Sequence, residues 1–119
     1  MSHIVTIKTQ VRDVAAIQAA CERLQLPASY HGTFDVYKVR ATGWGIQLKN
    51  WQFPVVCDLA AGELFYDNFE GRWGDPKCLD EFLQRYAVEK TLLEARRQGY
   101  AAMEQPLENG SIRVVIQTN

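Results

Sequence analysis

The chain has 119 residues, 47% hydrophobic and 23% charged, so one domain over residues 1–119 can bury a core without disulfides or metal. A formal net charge of −1 supplies no basic face for nucleic acid or an anionic membrane. With no long apolar span and no charged-then-apolar leader, the expectation is a cytoplasmic protein without a membrane or nucleic-acid partner.

Taken in order, residues His3 to Thr9 (HIVTIKT) are β-branched and predict a short first strand. Asp13 then caps a helix reaching about Leu24, with Val14, Ile17, Cys21 and Leu24 on one face and Pro27 beyond its end. Alternation from Phe34 to Ala41 predicts a strand, and Trp44, Ile46 and Leu48 predict its hairpin partner across a Thr42–Gly43 turn. Val55, Val56 and Cys57 read as a buried strand, Ala61–Gly62 as a turn, and Leu64 to Tyr66 as the strand that follows.

The longest helix begins behind Asp75, whose carboxylate can accept from free N–H groups of the first turn, with Pro76 at the first helical position. Asp80 and Glu81 sit early while Lys90, Arg96 and Arg97 sit late, which complements the helix dipole. Leu79, Phe82, Leu83, Tyr86, Leu93 and Tyr100 form one apolar stripe, and Gly99 stops the helix. Ala101 to Gln105 and Ser111 to Gln117 flank Pro106 and an Asn109–Gly110 pair, a hairpin signal, with Ile112, Val114 and Ile116 sharing a face. This order predicts an α+β fold: a mostly antiparallel sheet with two helices packed on one face and the other face open.

With MSHIVTIKTQVRD, QRYAVEKTLLEARRQGY and NGSIRVVIQ in view, the chain resembles a family of conserved plastid, cyanobacterial and other bacterial reading frames, a domain of unknown function. The likeness is most specific at the two ends and weaker from about Ala28 to Glu63. It implies no activity to carry over. Through the genes neighbouring its members, it implies a helper or adaptor whose partner is an AAA-type ATPase or a small ferredoxin.

No residue pattern names a catalytic group, a metal site or a cofactor. The stretch Asp67–Asp75 interleaves Asp67, Asn68, Glu70, Arg72 and Asp75 with Phe69, Trp73 and two glycines, which suits either a structured turn with Gly71 and Gly74 at positive φ or a binding loop. Its acids lack the alternate-residue spacing of a calcium loop. Cys21, Cys57 and Cys78 form no closely spaced pair, so reduced thiols are expected. Cys78 stands in the first turn of the long helix, where the dipole lowers a thiol pKa, but Asp75 and Asp80 oppose that effect. His31 lies in a loop, and His3 could join an N-terminal copper or nickel site only if Met1 were retained ahead of Ser2. Trp44, Trp51 and Trp73 with Tyr30, Tyr37, Phe53 and Phe65 make an aromatic centre, beside which Lys38, Arg40 and Lys49 are too few for a stacking groove.

These readings lead to a non-catalytic protein-binding or adaptor domain, using the open sheet face or Asp67, Asn68, Glu70, Arg72 and Trp73 as contacts. The competing expectation is a small-molecule-binding protein or small enzyme using residues 67–78, with Arg72 and Cys78 central.

Overall fold

Two aspartates start the two helices. In the computed structural model, which describes residues 4–118, Asp13 Oδ1 accepts from the N–H groups of Ala15 and Ala16, opening α1 (Val14–Arg23). Asp75 Oδ1 accepts from Lys77 N–H at 2.9 Å and opens α2 (Pro76–Arg97). The end of α2 closes with Gly99 N–H on Arg96 C=O and Tyr100 N–H on Ala95 C=O, the paired bonds that a left-handed residue after a helix allows. His3, which begins the predicted first strand and carries the copper or nickel reading, lies outside the described residues.

Five antiparallel strands, β1 (Val5–Lys8), β2 (Tyr30–Val36), β3 (Val39–Ile46), β4 (Val55–Asp58) and β5 (Glu63–Tyr66), form one sheet in the order β1-β5-β4-β3-β2. Register places Ile7, Leu64, Cys57 and Trp44 in one row. Because alternate strand residues share a face, Val55 and Ile46 point the same way. These side chains pack with Ala16, Ile17, Ala20 and Cys21 of α1 and with Leu79, Phe82 and Tyr86 of α2 in a single core. The α+β expectation therefore holds, with both helices over one face of this sheet. The opposite row runs Thr6, Phe65, Val56, Gly45 and Tyr30.

The central hairpin turns elsewhere than Thr42–Gly43. Val36 pairs with Val39 across Tyr37 and Lys38, with Tyr37 at φ +59°, whereas Thr42 and Gly43 lie inside β3 opposite Thr33 and Gly32. Gly43 is there because the neighbouring strand is close: a Cβ on it would stand 2.7 Å from the Cys57 carbonyl oxygen. The sequence signal for a turn was a signal for close strand approach.

The C-terminal hairpin, β6 (Ala101–Pro106) and β7 (Ile112–Gln117), forms a second, two-stranded sheet beside α2. That packing changes the reading of α2. The predicted stripe accounts for Leu79, Phe82 and Tyr86, with Leu83 and Leu93 half-buried against the core. Val88, Glu89, Leu92 and Ala95 are buried as well. At 3.6 residues per turn, Val88 lies on the side of the helix opposite Leu79. The helix is thus covered on two sides, by the main core and by the hairpin.

Ion pairs tie these layers together. Arg85 makes a two-pronged contact with Glu104 of β6, which also bonds Arg23 of α1. Buried Glu89 lies 3.6 Å from Arg23 and 3.7 Å from Arg85, and its Oε1 has no hydrogen bond. The molecule measures 54 × 31 × 23 Å, and its 15.2 Å radius of gyration exceeds the roughly 13.5 Å expected of a compact chain this long.

Candidate functional site

The loop after β5 is held by its own polar groups. Asp67 is 1% exposed, and its Oδ1 accepts from Phe69 N–H. Asn68, also buried, donates through Nδ2 to Gly74 C=O. Trp73 Nε1–H donates to Asp67 C=O at 2.8 Å, and Trp51 Nε1–H to Asp75 C=O at 3.0 Å. Of the five residues singled out in the sequence, Asp67 and Asn68 therefore shape the turn from inside, Trp73 is half-buried, and Glu70 and Arg72 are exposed. Gly71 has the expected positive φ, but Gly74 does not. Its missing side chain admits the Trp51 ring, which a Cβ would meet at 2.6 Å.

Around this turn the aromatic rings cluster on the surface. The Trp73 centroid is 4.6 Å from Phe69, 5.0 Å from Tyr37 and 5.8 Å from Phe53. The Arg72 guanidinium lies over Phe69 and the Lys38 ammonium over Tyr37. Tyr37, Phe69 and Glu70 all adopt left-handed φ, an uphill conformation for residues with side chains. The wider aromatic centre of the sequence divides. Trp51 is core, Trp44 is half-buried with its Nε1–H on Ser29 Oγ, and Tyr30 lies exposed on the open sheet face, its ring 5.1 Å from Phe34.

Cys78 is half-buried at the start of α2, and burial together with the Asp75 and Glu81 carboxylates pushes its thiol pKa up against the pull of Lys49. Cys57, inside β4, is raised to about 11 chiefly by burial. Among the described residues, no three His, Cys, Asp or Glu side chains are grouped to hold a metal ion, and no helix is long and apolar enough to cross a membrane.

A depression of about 820 Å³ runs between the segment Thr9–Val14 and the α2 side chains Leu83, Tyr86, Ala87, Lys90 and Thr91. Its central polar groups bond to one another. The Tyr86 hydroxyl accepts from Arg12 and Asp13 N–H and donates to Gln10 C=O. Asp13 Oδ2 holds Lys90 at 2.9 Å and Arg97 at 3.0 Å, and hydrogen bonding to Lys90 leads the effects that lower its carboxyl pKa to about 2. This arrangement is a brace between α1 and α2, built on the Tyr86 hydroxyl and the Asp13 carboxylate.

The C-terminal hairpin presents a different surface. Pairing of Met103 with Val115 and of Gln105 with Arg113 puts these four on the face turned away from α2. Met103 is 64% exposed, and Val115, Ile116 and Leu107 are also exposed. Among the described residues, these are four of the six exposed large apolar side chains, beside Tyr30 and Val39. The sequence displayed the alternation of β7 but held no sign that its second face would stay uncovered. This chain matches no protein-family model, no curated protein and no solved structure.

Proposed function

We propose that this chain is a non-catalytic protein-binding domain of the cytoplasm that engages its partner through the C-terminal hairpin. The observation behind this reading is the concentration of exposed Met103, Val115 and Ile116 on a two-stranded sheet, an element of marginal stability on its own, and of Leu107 in its turn. Met103 and Val115 stand together on the outward face, Ile116 on the helix side and Leu107 in the turn, and exposed apolar side chains gathered on one element favour an interaction site. The family resemblance supplies two candidate partners, an AAA-type ATPase and a small ferredoxin. Affinity capture from the native host, with the wild-type chain and Met103→Ser/Val115→Ser as baits, tests the reading. The double variant should keep its circular dichroism spectrum and lose the partner that the wild type retains. Identical capture by both baits removes the hairpin from the functional account.

A second reading, a small-molecule-binding loop at Asp67, Asn68, Glu70, Arg72 and Trp73, draws support from the aromatic cluster and its left-handed residues. Since Asp67 and Asn68 are committed to the turn, this reading rests on Arg72 and the exposed ring edges. Arg72→Ala then abolishes ligand binding without loss of fold, and the raised Cys78 thiol argues against a nucleophilic enzyme.

A further inference from the structure

We infer that the partner contributes an extended segment that adds as a third strand to the free edge of β7, with an acidic residue opposite Arg113. This inference rests on the protein-binding reading and specifies its mode. A two-stranded sheet has two unpaired edges, and each is a template for another chain. On the β6 side, Pro106 offers no backbone N–H, and Glu104 is engaged by Arg23 of α1. In contrast, β7 reads IRVVIQ, six residues without proline or glycine, four of them β-branched.

Beside β7 a depression of about 460 Å³ lies between the strand and the last turns of α2, with Ala95, Tyr100 and Ile116 as its apolar lining and Thr91, Gln98 and Thr118 among its polar residues. Ile116 is on the helix side of the hairpin yet 43% exposed, so the sheet stops short of covering its own inner face. A further strand would complete that cover. Strand and helix flanking one groove is the geometry in which an added peptide gains main-chain bonds from the strand and side-chain selectivity from the helix.

Charge sets the chemistry of the occupant. Lys90, Arg97, Asp13 and Glu94 neutralise one another, as do Arg23, Arg85, Glu89 and Glu104. Within the hairpin and the last turn of α2, the described basic residues that make no ion pair are Arg96 and Arg113; Arg113 lies on the outward face of β7, and Arg96 is exposed near the end of α2. A strand paired antiparallel with β7, the commoner arrangement, meets Ile116 first, then Val115, Val114 and Arg113. The fitting segment is apolar opposite Ile116 and Val115 and acidic two positions after the residue opposite Val115. A second copy of β7 would instead bring valine or glutamine opposite Arg113, leaving its charge unmatched.

The probe is an acetylated, amidated synthetic peptide Ser-Thr-Val-Ile-Thr-Glu-Thr-Ser, with a control in which Glu is replaced by Lys. Titration into the full chain, followed by amide chemical shifts and hydrogen exchange, should move and protect residues 112–117 with the Glu peptide. Arg113→Glu should weaken that peptide roughly fivefold and favour the Lys peptide, as expected for a cross-strand pair turned into a like-charge contact. Unchanged affinities in Arg113→Glu, absence of effects at β7 up to millimolar peptide, or a dimer by sedimentation that occupies β7 each overturn the inference. If native-host capture still depends on Met103 and Val115 while the peptide fails, strand addition is wrong and the protein-binding reading survives. Capture indifferent to the hairpin removes that reading itself.

Discussion

Replacing Asp13 with asparagine separates two jobs done by one carboxylate. Oδ1 caps α1, which an asparagine side chain also does well, whereas Oδ2 binds Lys90 and Arg97 through its charge. Holding the Asp13 carboxyl at about 2 instead of the ordinary 3.8 corresponds to roughly 2–3 kcal/mol in favour of the folded, ionised form. Lys90 and Arg97 are 37% and 49% exposed, so solvent screens part of this, and we expect Asp13→Asn to cost about 1–2 kcal/mol at pH 7. For 119 residues, that is a fall in Tm of about 4–8 °C. Since the folded-state pKa is depressed, the contribution is complete above about pH 4 and disappears as pH falls toward 2. Urea titrations of both proteins at pH 7 and pH 2 should therefore show a gap that closes in acid. A gap of equal size at both pH values, or none at pH 7, would refute the electrostatic account and leave Asp13 as a cap alone.

Three other outcomes follow from the same structure. Asp75→Ala removes the cap of α2 and should lower stability by about 1 kcal/mol in thermal melts, and an unchanged midpoint would mean the cap contributes nothing. Phe82 is 1% exposed in the core, so Phe82→Ala should cost roughly 3–5 kcal/mol by denaturant titration, and a loss under about 1 kcal/mol would contradict the burial assigned to it. Native-state alkylation by iodoacetamide should reach Cys78 before buried Cys21 and Cys57, with a pH midpoint above the ordinary 9.0, while a Cys78 thiolate persisting below about pH 6.5 would restore the enzyme reading.

What the sequence disclosed was mostly local. The Asp13 and Asp75 caps, the stop at Gly99 and the hairpin around Asn109–Gly110 all depend on residues within a few positions of each other, and all stand in the structure. The turn at Tyr37–Lys38 was invisible because its left-handed residue is a tyrosine, while the glycine that drew attention serves a strand contact. The second buried side of α2 was missed for another reason. Val88, Leu92 and Ala95 fall off the stripe through Leu79 and Phe82, and they become core only because a distant hairpin covers them. The same holds for the candidate site. Polar Asp67 and Asn68 looked like contacts but bond to their own loop, and the exposure of Met103 and Val115 depends on what tertiary packing leaves uncovered.

The strand order of the main sheet has a consequence for how the chain comes into being. Strands β2 to β5 are consecutive neighbours, so each can pair as soon as the next emerges from the ribosome. β1 is synthesised first but has no edge to join until β5 exists, since Val5 pairs with Tyr66 and Lys8 with Glu63. Closing that long loop places the first strand among the last to be secured. In the interval it is an unpaired β-branched segment, and its protection is brevity, four residues ending in a lysine. Lengthening β1, or replacing Lys8 with an apolar residue, would therefore be felt as aggregation during synthesis more than as lost stability of the finished protein.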